Sequence, residues 1–503
     1  MQNPSFTPPV VSTGVTGLDD IIDGGLPAGR LFLVEGAPGS GKTTLAMQFL
    51  LQAAEAGEPT LYITLSETAE ELGAVAQSHG WALDKIHLFE LASADAALGA
   101  EREQSVLHPW EVELGETIKL ITAQVEAIDP ARVVFDSLSE MRLLAQDPLR
   151  YRRQVLMLKQ YFATRRTTVL LIDDMTGGAN ERDSHLHSLC HGVITLERLT
   201  LDFGAARRRL QVQKLRGVAF RAGYHDFNIE RGGLVVYPRL VASQHHSEFV
   251  GVPTPSGVPE LDAMLGGGPL RGTSTLITGP AGSGKTNLAL QYIGAACLRG
   301  ERAVIYQFDE RIGTLMLRAK AMGVDLQQHL DDGLLRIRQI DPAEISPGEF
   351  SAMVKCEVEH NGARMFLIDS LSGYMAAMPQ EKQLLLQMHE LLAYLNQQGV
   401  VTLLVNPQQS LVGSMSTNGL NISYIADVVL LLRYFEAGGR VRKALTVLKN
   451  RGGPHGDSIR ELRIDDHGLR IGDALSGFRG VLTGVPEYVG EPEPLLEDRA
   501  HAE

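Results

Sequence analysis

Apolar positions along this chain follow two alternating periods. Short, β-branched runs are separated by longer stretches in which apolar residues recur at helical spacing. In the first half the runs Leu31–Val34, Thr60–Leu65, Arg132–Phe135 and Thr168–Ile172 predict strands. In the second half the same reading falls on Thr275–Thr278, Ala303–Phe308, Met365–Ile368 and Val400–Val405. Thr44–Leu51 and Asn287–Ile293 carry helical spacing directly behind a strand and a glycine-rich turn. Strands alternating with helices predict an α/β fold, a mostly parallel sheet flanked by helices, once in each half.

The pattern repeats because the sequence does. Gly36-Ala-Pro-Gly-Ser-Gly41-Lys42-Thr43 and Gly279-Pro-Ala-Gly-Ser-Gly284-Lys285-Thr286 are two complete loops of the G-x-x-x-x-G-K-[ST] type, 243 positions apart. Leu18-Asp19 with Gly24-Gly25, and Leu261-Asp262 with Gly267-Gly268, keep that offset. A duplicated domain follows: an arm over 1–12, a first domain over 13–240, a polar linker over 241–250, a second domain over 251–486 and an acidic, disordered tail over 487–503.

At 503 residues and 44% hydrophobic composition the chain can bury a sizeable core in each half. Its formal charge of −14 with no long basic run argues against nucleic acid as the main ligand. Three scattered cysteines suit a reducing cytoplasm. Neither a charged-then-apolar leader nor an apolar run long enough to span a bilayer is evident, the longest lying near Val428–Leu432. The expectation is a cytoplasmic protein.

Each loop has a mechanical reading. Glycines let successive N–H groups converge on a phosphate at a helix N-terminus. The predicted contacts to ATP are Gly39, Ser40, Gly41, Lys42, Thr43 and Thr44 in one copy, and Gly282, Ser283, Gly284, Lys285, Thr286 and Asn287 in the other. The lysines would reach the β- and γ-phosphates, and Thr43 and Thr286 would ligate Mg²⁺. Asp136 and Asp369 end apolar strands downstream and are the predicted acidic partners of the metal. Between loop and Asp lie Ser66-Glu67 and Asp309-Glu310, where Glu67, Asp309 and Glu310 are candidate general bases, or else solvated strand-end charges. The run His185-Leu-His187-Ser-Leu-Cys190-His191 matches no standard zinc spacing. Tyr434, Phe435, Trp81 and Trp110 read as packing.

Together these residues resemble the KaiC branch of the RecA-like ATPases, the double-domain ATPase and autokinase of the cyanobacterial circadian clock. The resemblance spans about Thr13 to Val485 and implies two tandem RecA-like P-loop domains. It also covers Lys214-Leu215-Arg216 and Lys449-Asn450-Arg451, which as bare sequence would be solvated surface. In the family this Lys-x-Arg reaches the nucleotide of the next subunit in a ring of six, and His455 falls on a nucleotide-contact position. The resemblance therefore implies a homohexamer with clock-type or signalling protein partners.

The chain departs from the family where Ser66 and Asp309 replace the first Glu of a Glu-Glu pair, the family's base. It departs again where Tyr424 replaces the Thr of a Ser-Thr phosphoacceptor pair, leaving Ser423 as the candidate acceptor. The implied activity is Mg²⁺-ATP hydrolysis with serine autokinase activity in the second domain. The rival readings are a DNA-dependent recombinase or helicase motor and a nucleotide-sensing scaffold with little turnover.

Overall fold

The computed structural model describes residues 9–91, 109–145, 147–175, 184–200, 204–376, 384–408, 424–466, 468–482 and 486–489. The chain divides into two compact units, Met1–Arg239 and Leu240–Glu503.

Each unit is built on a nine-stranded sheet. In the first, the spatial order is His87–Glu90, Thr60–Thr64, Arg132–Asp136, Thr168–Asp174, Leu31–Gly36, Gly192–Leu199, Arg207–Leu215, Tyr224–Glu230, Gly233–Tyr237. The first six of these run parallel, and the last three continue as an antiparallel meander. The second unit repeats the order: Leu335–Gln339, Ala303–Gln307, Met365–Asp369, Val401–Pro407, Ser274–Gly279, Val428–Ala437, Arg440–Asn450, Arg460–Asp465, Gly468–Ala474. Duplication in the sequence is thus duplication of topology, strand for strand.

The central parallel strands are buried along nearly their whole length because helices cover both faces. Behind the first loop the helix Lys42–Glu55 buries Leu45, Met47, Phe49 and Leu50 against one face of its sheet. Lys285–Leu298 does the same with Leu288, Leu290, Tyr292 and Ile293. Each large side chain so buried contributes about 1.5–3 kcal/mol of transfer free energy. The two phosphate-loop strands are therefore anchored at the centre of their sheets.

Three boundary segments are more structured than their composition suggests. Val10–Val11, in the expected arm, pairs antiparallel with Leu26–Pro27. In the expected polar linker, Ala242–Gln244 forms a 3₁₀ turn and Ala242 is buried in the second unit's core, as is Leu240, the last residue of the expected first domain. Glu487–Tyr488, the start of the expected tail, pairs with Phe478–Arg479, and the Tyr488 ring stacks edge-on against Phe478 at 5.1 Å. No helix among the described residues is long and apolar enough to cross a membrane.

Candidate functional site

Both phosphate loops leave the carboxyl end of a central strand and turn into a helix, in the same conformation. Gly39 and Gly282 have φ of 73° and 74°, and Gly41 and Gly284 have φ of 104° and 103°. The second pair is doubly constrained, because the antiparallel meander presses on it. A Cβ at Gly41 would lie 2.8 Å from Ile229 Cδ1, and one at Gly284 2.3 Å from Ile464 Cδ1. The positive φ favours glycine there, and the close isoleucine adds to the preference at the turn from strand end to helix N-terminus.

The polar atoms of the loops suit a polyphosphate. Ser40 and Ser283 are fully buried and their hydroxyls have no hydrogen-bond partner among the described residues. Such orphaned polar atoms are costly unless a ligand satisfies them. Lys285 Nζ donates to Pro280 O at 2.7 Å, and burial pushes its ammonium down to about 8 despite the nearby Asp369 carboxylate. Lys42 Nζ donates to Gly36 O at 2.9 Å and Ala37 O at 3.1 Å. It also pairs with Asp174 Oδ1 at 2.7 Å.

A hydroxyl and a carboxylate meet beside each lysine. Thr286 Oγ1 donates to Asp369 Oδ2 at 2.8 Å, while Thr43 Oγ1 and Asp136 Oδ2 stand 3.5 Å apart. Burial is the main cause that holds both carboxyls above the ordinary range. Asp136 accepts a further hydrogen bond from Tyr62 at 2.6 Å. Two hard oxygen donors in a buried, acid-raising pocket are the donor set a small divalent cation takes, and a cation would favour the charged carboxylate.

The candidate bases sit at neighbouring strand ends, in unequal surroundings. Glu67 follows a turn in which its N–H donates to Thr64 Oγ1 at 2.9 Å, and it precedes a helix closed by the Thr68–Glu71 capping box. It is half-buried, one of its oxygens has no partner, and burial followed by Asp136 raises its pKa. Glu310 instead forms an ion pair with Arg318. Asp309 is exposed and accepts a hydrogen bond from Ser370, the residue after the metal-side Asp369. Ser66 is exposed.

The basic triplets are not brought to their own loops. By strand register, Lys214 stands beside Val193 and, through it, Leu33, three residues before Gly36. Lys449 stands beside Val429 and Leu276, three residues before Gly279. Arg216 N–H donates to His191 O, and Arg451 N–H to Asp427 O, two residues further still from the loop. At about 3.3 Å per residue, each arginine is roughly 16 Å along the strand from the first glycine of its own loop. Lys214 Nζ donates to His187 O and Cys190 O, Lys449 Nζ to Ala426 O at 2.5 Å, and Arg216 and Arg451 are exposed. Leu215 is buried in the core, Asn450 caps the turn by accepting from Gly452 N–H at 3.0 Å, and His455 is exposed. Ser423 lies outside the described residues, next to the exposed Tyr424.

Among the described residues no His, Cys, Asp or Glu group could hold a metal ion by itself. His187 pairs with Glu35 at 2.8 Å, and Cys190 is buried with its thiol pushed up to about 12. Sequence reasoning missed Asp174, Tyr62 and Tyr434. Tyr434, read as packing, donates to Ala281 O at 3.0 Å and props the second loop from the adjacent strand. Asp174 was signalled only as the second acid of the Asp173-Asp174 strand end.

Comparison with known proteins agrees with this geometry. The family model described as "ATPase: KaiC" matches twice, over residues 11–241 and 254–476. The chain is similar to the circadian clock oscillator protein KaiC of Parathermosynechococcus lividus, with 31% identity over 96% of this chain and 89% of the relative. That of Synechococcus elongatus is 30% identical over 95% and 92%. The circadian clock protein KaiC3 of a Synechocystis species is 28% identical over 96% and 95%. With two matched repeats, two sheets of the same strand order and two phosphate loops in one conformation, the chain belongs to the KaiC family of ATPases.

Proposed function

We propose that the protein is a cytoplasmic Mg²⁺-ATP-dependent ATPase and serine autokinase that works as a ring, as a regulator of the clock or signalling type. The observation that carries the reading is the paired loop: lysine, threonine and a buried aspartate at one strand edge, built twice. Mg²⁺ would supply positive charge to offset the negative charge of the phosphates. Thr43 with Asp136, and Thr286 with Asp369, would hold it. Lys42 and Lys285 would bind the β- and γ-phosphates, and the glycine turns would orient them.

In the second domain Asp309 is the group available to take a proton, since Glu310 is neutralised by Arg318. In the first domain Glu67 is the carboxylate with a free buried oxygen. The hexamer is what the family resemblance of Lys214–Arg216 and Lys449–Arg451 implies, and their position away from their own loops is compatible with it. On a neighbouring subunit's nucleotide they would stabilise phosphoryl charge once a ring has closed.

Incubation with γ-labelled ATP, followed by phosphate release and mapping of labelled residues, tests the reading. Release dependent on Mg²⁺, with label on Ser423, is expected. Binding without release or label would favour a nucleotide-sensing scaffold, and release that requires single-stranded DNA would favour a DNA motor.

A further inference from the structure

The two phosphate-loop lysines differ in one partner. Asp174 ends the strand beside the first loop, directly opposite Gly36 in the parallel register. Its carboxylate holds Lys42 Nζ at 2.7 Å, and its own N–H is fixed by Ser139 Oγ at 3.1 Å. The matching position beside the second loop, opposite Gly279, is Pro407. That the two positions correspond is fixed by the next residue in each strand: Met175 N–H donates to Gly36 O, and Gln408 N–H to Gly279 O. Among the described residues no carboxylate pairs with Lys285, which is one-tenth or less exposed, as is Lys42.

We infer that Asp174 is a positioning residue of the first site, a built-in counter-ion that occupies Lys42 and lowers the ATP affinity of the first loop below what the same loop would have without that charge. This rests on the reading that both loops bind Mg²⁺-ATP. A nucleotide arriving at the first loop must take Lys42 from a carboxylate already in ion-pair contact. Its terminal phosphates must then sit beside that same negative charge, which also acts on Glu67 and Asp136. At the second loop the arriving phosphate displaces only a backbone carbonyl. Because Asp174 is about one-third exposed, water screens part of the effect, and a five- to tenfold difference in affinity is the expected scale.

The test uses the full chain carrying Lys285→Ala, so that only the first loop reads, titrated calorimetrically with Mg²⁺ and a non-hydrolysable ATP analogue. Asp174→Asn, which keeps shape and the Ser139 contact, should tighten binding about five- to tenfold, and Asp174→Glu should keep wild-type affinity. In the reciprocal background, Lys42→Ala, the change Pro407→Asp should weaken the second site by a similar factor. Unchanged or weaker binding in Asp174→Asn, with Pro407→Asp also neutral, overturns the inference while leaving the two-site reading intact. Equal binding by Lys42→Ala with Lys285→Ala and by the wild type would overturn the two-site reading itself.

Discussion

The ammonium of Lys285 offers a quantitative test of the second loop. Burial pushes it down to about 8 from an ordinary value of 10.5. A bound polyphosphate places negative charge against it, which favours the charged form and raises its pKa again. The complex therefore holds a proton that the free protein lacks at every pH between about 8 and the bound value. The sign follows: affinity is flat below pH 8 and falls up to tenfold per unit above it.

Between pH 7 and 9.5 the free lysine goes from mostly charged to a few per cent charged, so affinity should drop by about thirtyfold. The phosphate cannot mimic this, since phosphoryl groups complete their ionisation near about pH 6. Calorimetry on Lys42→Ala protein, in buffers of different ionisation enthalpy, reads both the affinity and the proton taken up. Lys285→Arg, charged throughout this range, should flatten the profile. Constant affinity to pH 9.5 with no proton uptake at pH 9 would refute the argument from burial.

The other expectations are simpler. Asp309→Asn should slow phosphoryl transfer in the second domain by about a hundredfold or more with nucleotide affinity nearly unchanged, whereas Glu310→Gln should do less because Arg318 already neutralises Glu310; phosphate release with binding controls checks both. Ser66→Glu should raise basal hydrolysis in the first domain if the missing carboxylate limits it, and an unchanged rate would point to Glu67 as sufficient. Removing the Phe350 ring, fully buried among Tyr306, Phe308 and Tyr374, should cost about 3–5 kcal/mol in Phe350→Ala, read by denaturant unfolding of the second unit.

The duplicated α/β architecture was legible because two signals coincide in each half: an apolar run of strand length and a glycine-lysine turn immediately after it. Asp136 and Asp369 were legible for the same reason, each ending such a run. What could not be read depends on contacts between strands distant in sequence. Asp174 lies 132 residues from the lysine it holds. Tyr434 reaches Ala281 across 153 positions, and only the parallel pairing of Ser274–Gly279 with Val428–Ala437 brings them together. Arg318 lies eight residues after Glu310, on the helix Ile312–Ala321, but nothing local distinguishes that pair from ordinary surface charges. The turn at Ala242–Gln244 and the pairing of Glu487–Tyr488 could not be read because composition averages over polar residues, while each depends on what the segment meets in the fold.

The distance between each arginine and its own loop has a genetic consequence. If a working site needs the loop of one subunit and the arginine of another, a defect in either can be carried by different chains. Subunits bearing Lys42→Ala still lend Arg216 to a neighbour, and subunits bearing Arg216→Ala still present a sound loop. An equal mixture of two inactive proteins would then contain junctions of wild-type composition, about one in four if assembly is random. Activity would be a property of the junction between chains, and dominance or complementation of an allele would depend on which side of that junction it damages.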